Sequence, residues 1–139
     1  MILPEEVKIE ISSKSNYSGE STTGHSVSFG KCYFKNKKIY ISYNEKLDGI
    51  DSEIPSLMTL DENYLQISRR GEVRSTMTFM YGENTECTYV TGPLALNLII
   101  HTTRYAPVLG EMEVTIYLDY DVIMNGEEGG HNSVIIKIG

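Results

Sequence analysis

Tryptophan is absent from these 139 residues, and cysteine occurs twice, histidine three times and proline four times. Cys32 and Cys87 lie too far apart in sequence for the close ligand spacing of a zinc site, so they read as free, largely buried thiols. His25, His101 and His131 fit neither an HxxxH nor an HExxH spacing, and no Gly-x-Ser-x-Gly nucleophile motif occurs. No catalytic residue, metal ligand or cofactor is therefore expected, and the chain does not read as an enzyme. Cations are scarce as well. Twelve Lys plus Arg against 19 Asp plus Glu leave a formal charge of −7, which argues against a nucleic-acid partner. Apolar runs such as Leu98-Ile99-Ile100 fall far short of the ~20 residues that cross a bilayer as a helix. The opening Met1-Ile2-Leu3-Pro4-Glu5-Glu6 has no basic n-region and no apolar stretch of signal length. A cytoplasmic protein without a membrane partner is the expectation, and the glycosylation-type triplet Asn16-Tyr17-Ser18 then has no use.

What the chain does have is alternation. Its length fits one domain, 1–139, with an apolar content sufficient for a core. Val7, Ile9 and Ile11 alternate with Lys8, Glu10 and Ser12; Ile39, Ile41 and Tyr43 alternate with Lys38, Tyr40 and Ser42. The same period of two carries Leu65 and Ile67, then Val73, Met77 and Phe79, then Leu94, Leu96, Leu98 and Ile100, and finally Val134, Ile136 and Ile138. Each set places one row inward and one outward, as a half-buried antiparallel strand requires. Short polar breaks at Asn36-Lys37, Asp61-Glu62-Asn63, Arg70-Gly71-Glu72, Tyr81-Gly82-Glu83-Asn84, Thr91-Gly92-Pro93 and residues 126–130 read as turns. Residues 46–55, with Asp48-Gly49 and ending at Pro55, form the one long irregular piece.

Residues 111–124 keep strict parity, with Met112, Val114, Ile116, Leu118, Tyr120, Val122 and Met124 on one side. Fully extended they would span roughly 46 Å at ~3.3 Å per residue, which requires a coiled strand, with a bulge expected near Asp119–Asp121. Sequential hairpins and long curved strands predict an all-β fold. The expected architecture is a single closed or nearly closed antiparallel up-and-down barrel of about 8–10 strands with little helix. A sandwich is the alternative.

If the apolar parity marks the interior, three charged residues fall on the wrong side. Glu45 follows Ile41 and Tyr43 in phase, Arg69 follows Leu65 and Ile67, and Arg104 follows Ile100 and Thr102. An interior charge must be paired or meet water. Glu45, Arg69 and Arg104, with the in-phase Tyr43 and Tyr89, are thus the candidate ligand-binding residues at one mouth, holding the polar end of a small, partly apolar molecule. A Glu45–Arg69 pair bracing a filled barrel is the competing reading. Tyr40, Tyr64, Tyr117 and Ile99 take the outward parity, and a patch made of them would serve a homodimer or another interaction module. Glu111, Glu113, Asp119 and Asp121 read as a solvated face.

The ordered run from Gly30 through Tyr43-Asn44-Glu45, then Gly49, Arg69-Arg70-Gly71-Glu72-Val73, Met77-Thr78-Phe79, Gly82 and Tyr89-Val90-Thr91-Gly92, resembles the YwiB-like family. These are small bacterial proteins of unknown function. The resemblance covers about residues 7–138. It implies a lipocalin-like, calycin-type β-barrel with a ligand cavity and marks Tyr43, Glu45, Gly49, Arg69, Gly71, Met77, Phe79, Tyr89, Thr91 and Gly92; it implies no activity. The chain departs from the family pattern in a longer loop over residues 48–55 and in Thr91 standing directly before Gly92.

Overall fold

The computed structural model describes residues 3–47 and 49–139. Ten strands succeed one another: β1 (Glu6–Tyr17), β2 (Glu20–Lys35), β3 (Lys38–Glu45), β4 (Ile54–Leu60), β5 (Tyr64–Arg70), β6 (Val73–Met80), β7 (Asn84–Thr91), β8 (Leu94–Leu109), β9 (Val114–Met124) and β10 (Glu127–Ile138). Each pairs antiparallel with its neighbour in sequence, and β1 pairs with β10 to close the ring. This is the closed up-and-down barrel that the alternation predicts, and it excludes the sandwich. No helix long and apolar enough to cross a membrane occurs among the described residues. Asp48, half of the expected Asp48-Gly49 turn, lies outside them, as do Met1 and Ile2.

Three of the hairpins use two-residue turns in which both central residues have positive φ: Ser18-Gly19, Asn36-Lys37 and Asn125-Gly126. Such turns match the right-handed twist of the strands they join. The turn expected over residues 126–130 is therefore shorter and one residue earlier, and residues 127–130 belong to β10. Pro55 likewise lies within β4, opposite Asn44, rather than ending a loop. Met112 stands outside β9 and is exposed. The bulge expected on β9 is instead on both of its neighbours. Register shifts by one residue at Thr103 in β8 and at Gly129 in β10, leaving β9 itself unbroken.

The turns at Asn36-Lys37, Asp61-Glu62-Asn63, Tyr81-Gly82-Glu83 and residues 110–113 gather at one end, the base, and the remaining connections form the mouth. Toward the base the interior is apolar and filled. Val7, Ile9, Ile39, Ile41, Met58, Leu60, Leu65, Phe79, Val114, Ile116, Leu118, Ile136 and Ile138 form one buried cluster. Tyr105, turned inward by the Thr103 bulge, crosses this end; its hydroxyl donates to the backbone oxygens of Asp61 and Tyr64 at 2.7 and 3.0 Å.

β2 inverts the usual pattern. Its small residues Gly24, Ser26, Ser28 and Gly30 pair with the inward-facing Ser13, Ile11, Ile9 and Val7, while Val27 and Phe29 are 44% and 74% exposed. One of these glycines is obligatory. A Cβ on Gly30 would stand 2.5 Å from the Ser42 carbonyl oxygen and 2.9 Å from Tyr43 Cβ, so β2 crosses β3 at Tyr43 only without a side chain. We expect Gly30→Ala to lower stability by about 1–3 kcal/mol, the usual cost of overpacking, as read from urea denaturation. Gly19→Asn, at a turn position with positive φ and open space around it, should cost far less.

Candidate functional site at the barrel mouth

Glu45 is the last residue of β3, and the parity that buries Ile41 and Tyr43 also turns its carboxylate inward. Arg69, near the end of β5, arrives from across β4. The two side chains meet as a fork: Arg69 Nε donates to Glu45 Oε1 and Nη2 to Oε2, both at 3.2 Å. Tyr43 Oη donates to the same Oε1 at 3.0 Å. Nη1 of Arg69 rests 3.5 Å from Met77 Sδ. The planar guanidinium suits this two-pronged contact in a way that a lysine ammonium does not.

The setting explains the protonation of Arg69 and Tyr43. Burial works against the charged guanidinium of Arg69, but the neighbouring Glu45, by charge and by hydrogen bond, more than offsets it, and the net displacement is upward. Burial, then the Glu45 charge, raises the Tyr43 phenol well above its ordinary range. Tyr43 therefore donates its proton to Glu45 rather than losing it. The arrangement is a compensated unit: one anion, one cation and one neutral donor.

Above this unit the barrel opens. A cavity of about 700 Å³ lies between the upper β1–β2 hairpin and the β3–β4 connection, with Glu45 in its wall. Ser13, Ser26 and Ser28 supply hydroxyls, and Ile11, Leu47 and Ile50 supply apolar surface. The serines are absent from the sequence-based candidates because inward positions are sought among apolar residues. The signal that would have found them is the small–large alternation from Gly24 to Gly30, read with the small residues inside.

The structure brings together Glu45, Arg69 and Tyr43. Tyr89, on the inward parity of β7, is half-buried. Arg104 is not part of the group. The extra residue at Thr103 reverses the parity of the rest of β8, so Arg104 is exposed and sits over the Tyr117 ring, 5.1 Å from its centroid. The expected outer patch also divides. Tyr40 stacks on Tyr33 at 5.1 Å and Tyr64 carries Lys38 above its ring, around β2–β5, whereas Ile99 and Tyr117 lie on β8 and β9. Among the described residues no group of three or more His, Cys, Asp or Glu is placed to hold a metal ion.

The ring of ten antiparallel strands and its polar mouth place the chain among small closed up-and-down β-barrel proteins. More particularly, residues 9–136 match the family described as a domain of unknown function, DUF1934, and the chain belongs to that family. Its fold is that of the YwiB protein from Bacillus subtilis, known from a crystal structure. The two chains superpose with a TM-score of 0.85 at 22% identity, over 96% of this chain and 90% of that one. No curated protein matches the chain.

Two outcomes test the compensated unit. Arg69→Met, which strands a buried carboxylate, should cost about 3–5 kcal/mol, and adding Glu45→Gln should recover a large part of that loss. A double-mutant cycle in urea measures both. The second test is alkaline. Tyr43, Tyr105 and Tyr120 all have pKa values raised by burial above the ordinary 10.0. They therefore contribute stability that is intact below pH 10 and lost as the pH climbs toward their folded-state values. Denaturation midpoints should fall above pH 10, and Tyr43→Phe should flatten that fall.

Proposed function

We propose that this protein binds a small, partly apolar molecule at the mouth of its barrel, without catalysis. The observation that carries this reading is the cavity of about 700 Å³ beside Glu45, well above the ~300 Å³ at which ligand pockets begin. Its lining fits an amphipathic guest. Ile11, Leu47 and Ile50 would hold the apolar part, while Ser13, Ser26 and Ser28 would meet the polar end. Glu45 lies in the wall with its charge matched by Arg69 behind it, and Lys46, Asp51 and His25 complete the polar lining. The reading includes a cytoplasmic setting, which the free thiols of Cys32 and Cys87 fit. It also includes the lipocalin-like way of binding that the family resemblance implies.

A second reading, an interaction or dimerising module, draws on different observations. The base half of the barrel is lined by one continuous buried apolar cluster, and β2 exposes Phe29 and Tyr33 on its outer face.

Native mass spectrometry of freshly purified protein separates the two, because it reports retained ligand and subunit count together. We expect a monomer carrying a small adduct, lost in Ser26→Trp, whose indole would occupy the mouth. An unliganded dimer that Ser26→Trp leaves unchanged and Phe29→Lys dissociates would replace the first reading with the second.

A further inference from the structure

Away from the mouth, the barrel wall has a weak junction. The ladder between β6 and β7 contains only the pairs Val73–Thr91 and Arg74–Val90, whereas the next shortest, between β4 and β5, has five. Past Arg74 the two strands run side by side without further rungs. The Thr85 hydroxyl, in place of a backbone amide, donates to the Thr78 carbonyl. The far end of this hairpin is tied to β8 instead: Gly82 N donates to Thr102 O at 2.8 Å, and Thr102 N to Glu83 O at 3.3 Å. The resulting seam is a groove of about 750 Å³.

One end of the groove is basic. Arg70 and Arg74 face each other in register across the β5–β6 hairpin, and both are exposed. Like charges directly opposed across an antiparallel pair repel. Among the described residues, no acidic side chain forms an ion pair with either. Behind them, Arg69 and Ser75 are also register partners, and their side chains take the inward parity of β5 and β6. The fork to Glu45 leaves Arg69 with further N–H groups to donate. Ser75 is only 6% exposed, and its hydroxyl has no hydrogen-bond partner. Buried hydroxyls are normally satisfied, so this orphan marks the seam as an incompletely paired stretch of wall. The remaining polar lining is Thr76, Thr78 and Thr88, with one carboxylate, Glu86.

We propose that this seam is a binding site for a phosphate-sized oxyanion carried on a small molecule. Arg70 and Arg74 hold it, and the hydroxyls of Thr76 and Thr88, in the same groove, meet its remaining oxygens. Guanidinium groups and hydroxyls supply donors in the fork geometry that such an anion accepts. An extended polyanion does not fit: the chain carries a formal charge of −7, and Glu86 stands in the same groove, so the favourable field is confined to the arginine end. The site is independent of the mouth cavity. It shares with that cavity only the Glu45–Arg69 unit between them.

Titration of inorganic phosphate into the isotopically labelled protein, followed by amide NMR at constant ionic strength with chloride as the balancing anion, tests the site. We expect saturable shifts at residues 74–78 and 86–90, with the amides of Ser26 and Ser28 at the mouth unmoved. Arg70→Gln and Arg74→Gln should each weaken binding by about tenfold, the loss of one charge-assisted contact. Thr76→Val should weaken it by a smaller factor while leaving the rest of the spectrum in place. Shifts that fail to saturate, that persist equally in both arginine variants, or that centre on the Lys35–Lys38 turn would overturn the assignment. Shifts at Ser26 and Ser28 alone would move the anion to the mouth and overturn it as well.

Discussion

Ring closure governs everything else in this molecule. Ten strands hydrogen-bonded in a circle leave no free edge, and they also fix two surfaces, an inner and an outer, between which each residue must choose. Because the choice alternates, one extra residue in a strand transfers every later one to the other surface. The bulges at Thr103 and Gly129 do this on the two neighbours of β9. The first brings Tyr105 inside to bridge Asp61 and Tyr64 and sends Arg104 out onto Tyr117. A chain with such a bulge can brace its base with a phenol and keep a guanidinium in water, while the strand between the bulges keeps Val114, Ile116 and Leu118 in the core.

The same closure divides the interior. Mainly aliphatic side chains occupy the base half, and the mouth half holds Glu45, Arg69, Tyr43, Tyr89 and the β1–β2 serines. A buried ion pair is a weak source of stability, since desolvation consumes most of its attraction. Its value here is geometric. The fork from Arg69, on β5, to Glu45, on β3, ties two strands that are not adjacent, and Tyr43 completes the carboxylate's shell. Arg69 also belongs to the stretch of wall along the seam between β6 and β7, so the same residue joins the mouth to that seam.

Much of this was legible in the residues. Period-two runs such as Ile39–Ile41–Tyr43 and Val134–Ile136–Ile138 are simple consequences of one wet and one dry face, and their number and turns pointed to a barrel. Glu45 and Arg69 were legible for the same reason, as charges in phase with buried neighbours. Arg104 was not, because parity counting assumes an unbroken ladder, and a bulge at a threonine leaves no compositional trace. The β1–β2 hairpin was legible only in part. Its inward face is built from Gly24, Ser26, Ser28 and Gly30, and a rule that seeks apolar residues inside reads that strand inside out. The steric need behind Gly30, the approach to Ser42 and Tyr43, exists only once β2 and β3 are paired.

The pairing of β1 with β10 carries a further consequence, in time rather than in space. Every other junction joins strands that are consecutive in sequence and can zip from a short turn, whereas this one joins Ile9 to Ile138 and sets Lys8 against Gly139 through reciprocal backbone bonds of 2.9 and 3.0 Å. Closing so long a loop is the slowest kind of contact to form, because its entropy cost precedes any return. A chain still being synthesised can complete eight hairpins and yet hold the apolar face of β1 (Val7, Ile9) uncovered until β10 arrives. The last strand, with Ile136 and Ile138 buried at its end, therefore acts as the stave that turns a curled sheet into a vessel.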